Sequence, residues 1–334
     1  MRPAHLLTLA CLGLCAATPA AAQNVKLNIA TQAPEGTVWM DAMGDIKREV
    51  EKRSKGRVKL AIFANGNQGD EKAVIERMGL GLLHGGLFTG IGLGEILPAV
   101  RILELPFVYR DKAEIDAVRE ALEPDFKAGF AAKGMVFLGW AEVGWAYIFS
   151  KAEARDLEGL RQRKIWRWQG DPLAEHVFQT FGLAGVPLAL TDVLTSLETG
   201  LIDSVYNSPY GLVGLQWHRN MKFMSRMTVG HGTGALLVAD AEWQKIPPAI
   251  REGISKLARS RLDQLLGEVA TKNEESVAEL QKTGMGIVPI PEDEYPRYVE
   301  LGDKVADEMV GKLYEKAMLD KVRKILADKR AQKN

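Results

Sequence analysis

From Val25 onward the chain alternates short segments of period two with longer runs whose apolar positions recur every three or four residues. Val25, Leu27 and Ile29 alternate with Lys26 and Asn28, which predicts a strand over 25–30 and a loop from Thr31 to Gly36. Met40, Met43, Ile46 and Val50 fall on one helical face over 39–54, and Lys55-Gly56 supplies the stop. A second strand is predicted over 58–63, a polar loop over 65–69, a helix over 70–80 and a third apolar strand over 86–89. This β-α-β-α-β succession predicts a parallel sheet with helices on its faces.

The glycine-rich run Gly90-Ile91-Gly92-Leu93-Gly94 reads as a turn. A helix is expected over 112–130, then strands over 136–140 and 145–150, and from Asp156 a second β-α-β succession begins. A strand over 230–239 is expected to return to the first group. After Pro247-Pro248, the residues Ile250, Ile254, Leu257, Leu262, Leu265, Val269, Val277 and Leu280 predict one helix over 249–283. At 1.5 Å per residue it would be about 52 Å long, more than one lobe, so it should lie across two. It keeps no strict heptad, which weighs against a coiled coil. The run 321–333 reads as a solvated helix end. The expected division is a signal peptide over 1–22, lobe I over 23–140 with roughly 230–250 returning to it, lobe II over 141–229, the long helix over 248–283, and a C-terminal segment over 284–334 packed on the lobes.

The first residues change the picture by placing the protein outside the cytoplasm. Arg2, an apolar stretch from Leu6 to Ala17 and the small residues Ala20-Ala21-Ala22 have the form of a secretory signal peptide cleaved after Ala22. The apolar stretch is shorter than the roughly 20 residues that a spanning helix needs. Both cysteines, Cys11 and Cys15, lie inside it, so the mature chain has no disulfide, thiolate nucleophile or cysteine metal site. Of 43 Lys+Arg and 43 Asp+Glu only Arg2 is lost with the leader, and a net charge near −1 disfavours nucleic acid or an anionic membrane as partner. The mature length of about 312 residues exceeds what one core usually supports.

Little in the sequence suggests catalysis. His84, His176, His218 and His231 form no HxxxH or HExxH pair, which argues against a zinc hydrolase, and there is no GxSxG elbow, Walker loop or GxGxxG after a strand. No cofactor and no metal is expected. What remains is a set of aromatic and polar residues at strand ends, where open α/β sheets bind ligands. The candidates are Gln68, Phe88, Thr89, Trp145, Trp166, Trp168, Leu190, Tyr206, Asn207 and Tyr210. Tryptophan and tyrosine cover large ligand areas at small rotamer cost. Phe137 and Trp140 are assigned to the core. Alternation puts Trp166 and Trp168 on one face with Arg167 opposite, and that aromatic face is turned either to a cleft or to a core. Trp166 is the stronger cleft candidate.

Several segments together carry a family resemblance. They are Asn67-Gln68-Gly69-Asp70-Glu71 before a helix, Leu105-Pro106-Phe107-Val108-Tyr109-Arg110-Asp111, and Asp156-Leu157-Glu158-Gly159-Leu160 leading to Lys164-Ile165. The stretch from Leu194 to Gly200, Leu201-Ile202-Asp203, and Asn207 before Pro209 complete the set. In order and spacing the chain resembles the substrate-binding proteins of TRAP (tripartite ATP-independent periplasmic) transporters over essentially its whole mature length. The resemblance implies an α/β, two-lobed periplasmic binding protein fold, type II-like, with a long helix spanning both lobes. It also implies a small organic acid as ligand and a membrane permease as partner. A periplasmic sensor for a membrane histidine kinase would use the same pocket, and a periplasmic enzyme of this fold is a third reading.

One departure stands out. The family's pattern places a carboxylate-gripping arginine after the Lys-Ile pair, and here that position is Trp166. A second arginine of the pattern would fall near Trp145-Ala146. Bidentate arginine contacts are strong and directional, so their loss implies a different ligand or pose. Arg167 should face away, and Arg163 could substitute only with a shifted backbone. Asn207 and Leu190 match pocket positions of the family. The expected ligand is therefore an organic acid with substantial apolar or aromatic surface, stacked on Trp166 and Trp145, with Asn207, Thr89 and Gln68 as hydrogen-bonding groups.

Overall fold

The computed structural model of the chain describes residues 24–332. The signal peptide and both cysteines lie outside the described residues. Nine strands form one sheet: β1 (Val25–Thr31), β2 (Val58–Phe63), β3 (Gly85–Thr89), β4 (Met135–Ser150), β5 (Ile165–Trp168), β6 (Gly185–Leu188), β7 (Ser204–Asn207), β8 (Phe223–Ala239) and β9 (Gly286–Val288). Their order is β2-β1-β3-β8-β4-β7-β5-β6, with β9 added to β8. At one end β1 pairs in parallel with β2 and β3, and at the other β5 pairs in parallel with β6 and β7. Between them β4 and β8 run antiparallel, and each is long enough to take part in both halves.

The two segments expected at 136–140 and 145–150 are thus one strand of 16 residues, and the strand expected at 230–239 extends to 17. Period-two alternation misses this because β4 shifts register against β8 four times, including between Glu142 and Gly144. An extra residue at such a bulge reverses which face each later side chain of the strand occupies.

The helix Pro248–Lys282 has 35 residues, as its spacing predicts. Ile254, Ala258, Leu262, Leu265 and Val269 join a core formed with β1, β2 and the helix Val38–Arg53, whereas Leu280 joins the core under β5 and β7. Gly139 of β4 lets it approach, because a Cβ there would press on Leu262. The helix Lys316–Ala331 is more than a solvated end. Leu319, Val322 and Leu326 are buried against the helix Lys112–Ala132 and its neighbours.

The glycine run is not a turn but a helix, Gly90–Ile96, capped by Thr89, whose hydroxyl accepts from Ile91 N. Its composition is poor for an isolated helix. Packing explains it: a Cβ on Gly90 would overlap the Glu104 carboxylate, one on Gly92 the Phe88 ring, and one on Gly94 the stem of Arg101. The three glycines admit side chains that a helix of ordinary residues would exclude.

Candidate functional site

The carboxyl ends of β1 and β3 face those of β5 and β7 across the sheet, and between them lies a cavity of about 280 Å³. One wall is Thr31 to Pro34, Leu87 to Ile91, Arg101, Glu104 and Phe107. The other is Trp166, Trp168, Asp171, Phe178, Leu190 and Tyr206 to Ser208, and the middle stretches of β4 and β8 form the floor.

Seven of the ten residues proposed from sequence line this cavity: Phe88, Thr89, Trp166, Trp168, Leu190, Tyr206 and Asn207. Three do not. Gln68 is bonded to Arg77 at 2.7 Å on the surface, and Tyr210 packs on Trp39 with its hydroxyl accepting from Val38 N. Trp145 lies edge-on to His231, 5.2 Å between ring centres, while its neighbours Gly144 and Ala146 line the space. Neither arginine beside Trp166 reaches the cavity. Arg163 lies 4.0 Å from Asp203 and Arg167 lies 3.9 Å from Glu175.

Trp166 belongs to cleft and core at once. It lines the cavity yet is only 1% exposed, stacked on Tyr206 at 4.9 Å, edge-on to Trp217 at 5.2 Å, and bonded from Nε1 to Leu188 O at 3.1 Å. Trp168 reaches across the cleft, its Nε1 donating to Asp70 Oδ2 at 3.1 Å.

The centre of charge is a group that no sequence motif marks. Arg101, from the turn Pro98–Glu104, meets Asp171 in a two-pronged pair, Nη1 to Oδ1 at 2.9 Å and Nη2 to Oδ2 at 3.0 Å. Asp171 comes from the opposite wall, where it caps the helix Pro172–Phe181 by accepting from Leu173 N at 3.0 Å. Arg101 Nε lies 2.9 Å from Glu104 Oε2, close enough for an ion pair but without the N–H direction of a hydrogen bond. Burial works against the guanidinium's charge, but Asp171 and Glu104 outweigh it and raise its pKa. Burial pushes Glu104 up despite Arg101. Glu104 also accepts from Thr233 N at 2.7 Å, one residue beyond the last β3–β8 pair, so it extends the sheet edge where β3 ends. A sequence signal existed: an arginine within the apolar run Val100-Arg101-Ile102-Leu103 demands a partner, and Glu104 follows three residues later.

A second polar group lies in the floor. Glu142 pairs with Arg119 at 3.1 Å, and His231 Nε2 lies 3.6 Å from the same oxygen. Burial, helped by Arg119 and Lys112, holds the His231 pKa down to about 3, so the ring is neutral and this contact is not an ion pair.

Glu71 sits behind Thr89. Its carboxylate accepts from Thr89 N (2.7 Å), Thr89 Oγ1 (2.8 Å) and Gly92 N (2.6 Å), so the Thr89 hydroxyl proton is committed and that oxygen can only accept from a ligand. Burial outweighs these donors and pushes the Glu71 pKa up from 4.5 to about 7. A carboxyl whose folded-state pKa exceeds its unfolded value binds its proton more tightly when folded. Its favourable contribution is complete below pH 4.5 and is lost as pH rises through 7, by about 3 kcal/mol. Urea midpoints taken from pH 4.5 to 8 should fall accordingly, and Glu71→Gln should remove that part of the slope. An unchanged slope in the variant would contradict the assignment.

Among the described residues no group of three or more His, Cys, Asp or Glu could hold a metal ion, and no helix is long and apolar enough to cross a membrane. The family model for bacterial extracellular solute-binding proteins, family 7, matches residues 29–313. The chain belongs to that family. A solute-binding protein of Verminephrobacter eiseniae is 28% identical over 279 residues, covering 81% of each chain. The family carries the TRAP receptor fold, and the likeness extends to solved structures. A TRAP periplasmic solute-binding protein of Xanthobacter autotrophicus, solved with β-D-galacturonate, superposes with a TM-score of 0.81 at 22% identity, over 90% of this chain and 99% of that one. Another from Desulfovibrio salexigens, solved with orotic acid, gives 0.82 at 15% identity, over 92% and 99%. As a family 7 solute-binding protein, the chain places its cavity where the two halves of this fold meet, and binding rather than turnover is the activity of the family.

Proposed function

We propose that the protein is the periplasmic receptor of a TRAP-type secondary transporter. It captures an organic acid with substantial apolar or aromatic surface between its two lobes and hands it to the membrane permease. The observation that carries this reading is the composition of the cavity: aromatic and aliphatic walls around Arg101, the one arginine among the described lining residues. Trp168, Phe88, Leu190, Tyr206 and the edge of Trp166 supply apolar contact, with Thr89 and Asn207 as polar contacts. Contacts made from both walls exist only when the halves are together, so a ligand that makes them favours the closed form. The lobe boundaries expected from sequence, near 140 and 230, fall within β4 and β8, and we propose that the chain passes between lobes there.

Mass spectrometry of small molecules released from purified protein, followed by a thermal-shift screen of acids, tests this reading. A true ligand at a hundred times its Kd should add about 2.7 kcal/mol of apparent stability. Recovery of, and stabilisation by, hydrophilic sugar acids alone would overturn the apolar ligand class.

A further inference from the structure

The cavity must meet an anion with a cation, and among the described lining residues Arg101 is the one arginine or lysine that it offers. That guanidinium is only 5% exposed, and its best two-pronged face is already occupied by Asp171 of the opposite wall. Glu104 lies on its other side. Adding a ligand carboxylate to this arrangement would place three carboxylates around one guanidinium in a water-poor site. Replacing one carboxylate by another keeps the charge balance and the planar fork geometry.

We propose that Arg101 anchors the ligand's carboxylate and reaches it by exchanging Asp171 for it. This rests on the organic-acid reading above and names the residue pair that sets its specificity. Asp171 has somewhere to go. Arg101, Asp171 and Ile91 line both the cavity and a second groove of about 520 Å³ on the far side, which Lys312, Glu95, Glu175 and the Glu308-paired His176 also line. Released from Arg101, the Asp171 carboxylate turns toward that groove. It keeps the N–H of Leu173 and the positive end of the helix Pro172–Phe181, which stabilise its charge without the arginine. The protein therefore carries its own competitor for the ligand, and the affinity for acids is lowered by the strength of the pair it must break. Arg101 stands in for the arginine that Trp166 displaces, from the opposite wall.

The two members of the pair should shift affinity in opposite directions. Isothermal titration with phenylacetate, 3-phenylpropionate and cinnamate, each beside its neutral amide, reads this directly. Wild-type protein should prefer the acids. Arg101→Lys keeps the charge but loses the fork, and should weaken acid binding at least tenfold and amide binding by clearly less. Asp171→Asn keeps the helix cap but frees the guanidinium, and should tighten acid binding about tenfold. Asp171→Ser, also a capping residue, serves if the asparagine variant does not fold, with circular dichroism and a cooperative melt as the control. If the Asp171 variants weaken acid binding as much as Arg101→Lys does, the pair is only a latch between the walls and the exchange is wrong. Equal acid affinity in Arg101→Lys and wild type also overturns it, and both results leave the organic-acid reading standing. If wild type binds the amides as well as the acids, or none of the three acids at all, the apolar or aromatic ligand class proposed above falls and the exchange falls with it.

Discussion

Arg101→Met should lower the stability of the protein by about 3–5 kcal/mol, because it leaves buried carboxylates without their counter-charge. Asp171 is 2% exposed and the Glu104 side chain 12% exposed, and both take their positive partner from this one side chain. Glu104 cannot turn fully to water while it holds Thr233 N, and Asp171 is left with the N–H of Leu173 and the helix end in place of the guanidinium. Part of the loss will be relieved by proton uptake, because burial already pushes Glu104 upward, so the defect should be smaller at pH 5 than at pH 8. Urea unfolding at the two pH values measures this. Combining Arg101→Met with Asp171→Asn should recover part of the loss, and a coupling energy near zero in that cycle would show that the two residues do not depend on one another.

Trp166→Ala should cost about 3–5 kcal/mol of folding stability, the usual range for removing a fully buried large aromatic. The indole is stacked on Tyr206, edge-on to Trp217, 5.4 Å from Trp168, and donates to Leu188 O, so its removal leaves a void and deletes one hydrogen bond, while Leu188 O keeps the backbone N–H of Gln169. Trp166→Phe keeps most of the packing and should lose less than half as much. Near-ultraviolet circular dichroism with urea titration distinguishes the two. A stable Trp166→Ala variant with native aromatic signal would mean that the indole is not part of the core. Trp166 also lines the cavity, so lost binding in such a variant would report the damaged wall together with any lost stacking on ligand.

Much of the fold could be read in the chain because its periodicities are long and clean. The helix Pro248–Lys282 and the strands β1 and β2 obey them closely. Failures arose where a distant partner decides. Helix Gly90–Ile96 exists because its glycines receive Phe88, Arg101 and Glu104, a reason invisible within seven residues. The unity of β4 was hidden by its register shifts, among them the one after Glu142, just before the Trp145 that lies edge-on to His231. The general place of the site was legible, since strand ends gather ligands, and Trp166, Trp168, Tyr206 and Asn207 do lie together there. The ion pair was not, because Arg101 and Asp171 are seventy residues apart and neither sits in a recognisable catalytic or metal motif.

The length of the central elements has one more consequence. β4, β8 and the helix Pro248–Lys282 each span about 50 Å, and all three run through both halves of the molecule. The halves are joined by something closer to a leaf spring than to a swivel. A laminate of this kind has no single loop to act as a hinge, so any relative movement of the halves would be shared among dozens of backbone dihedrals.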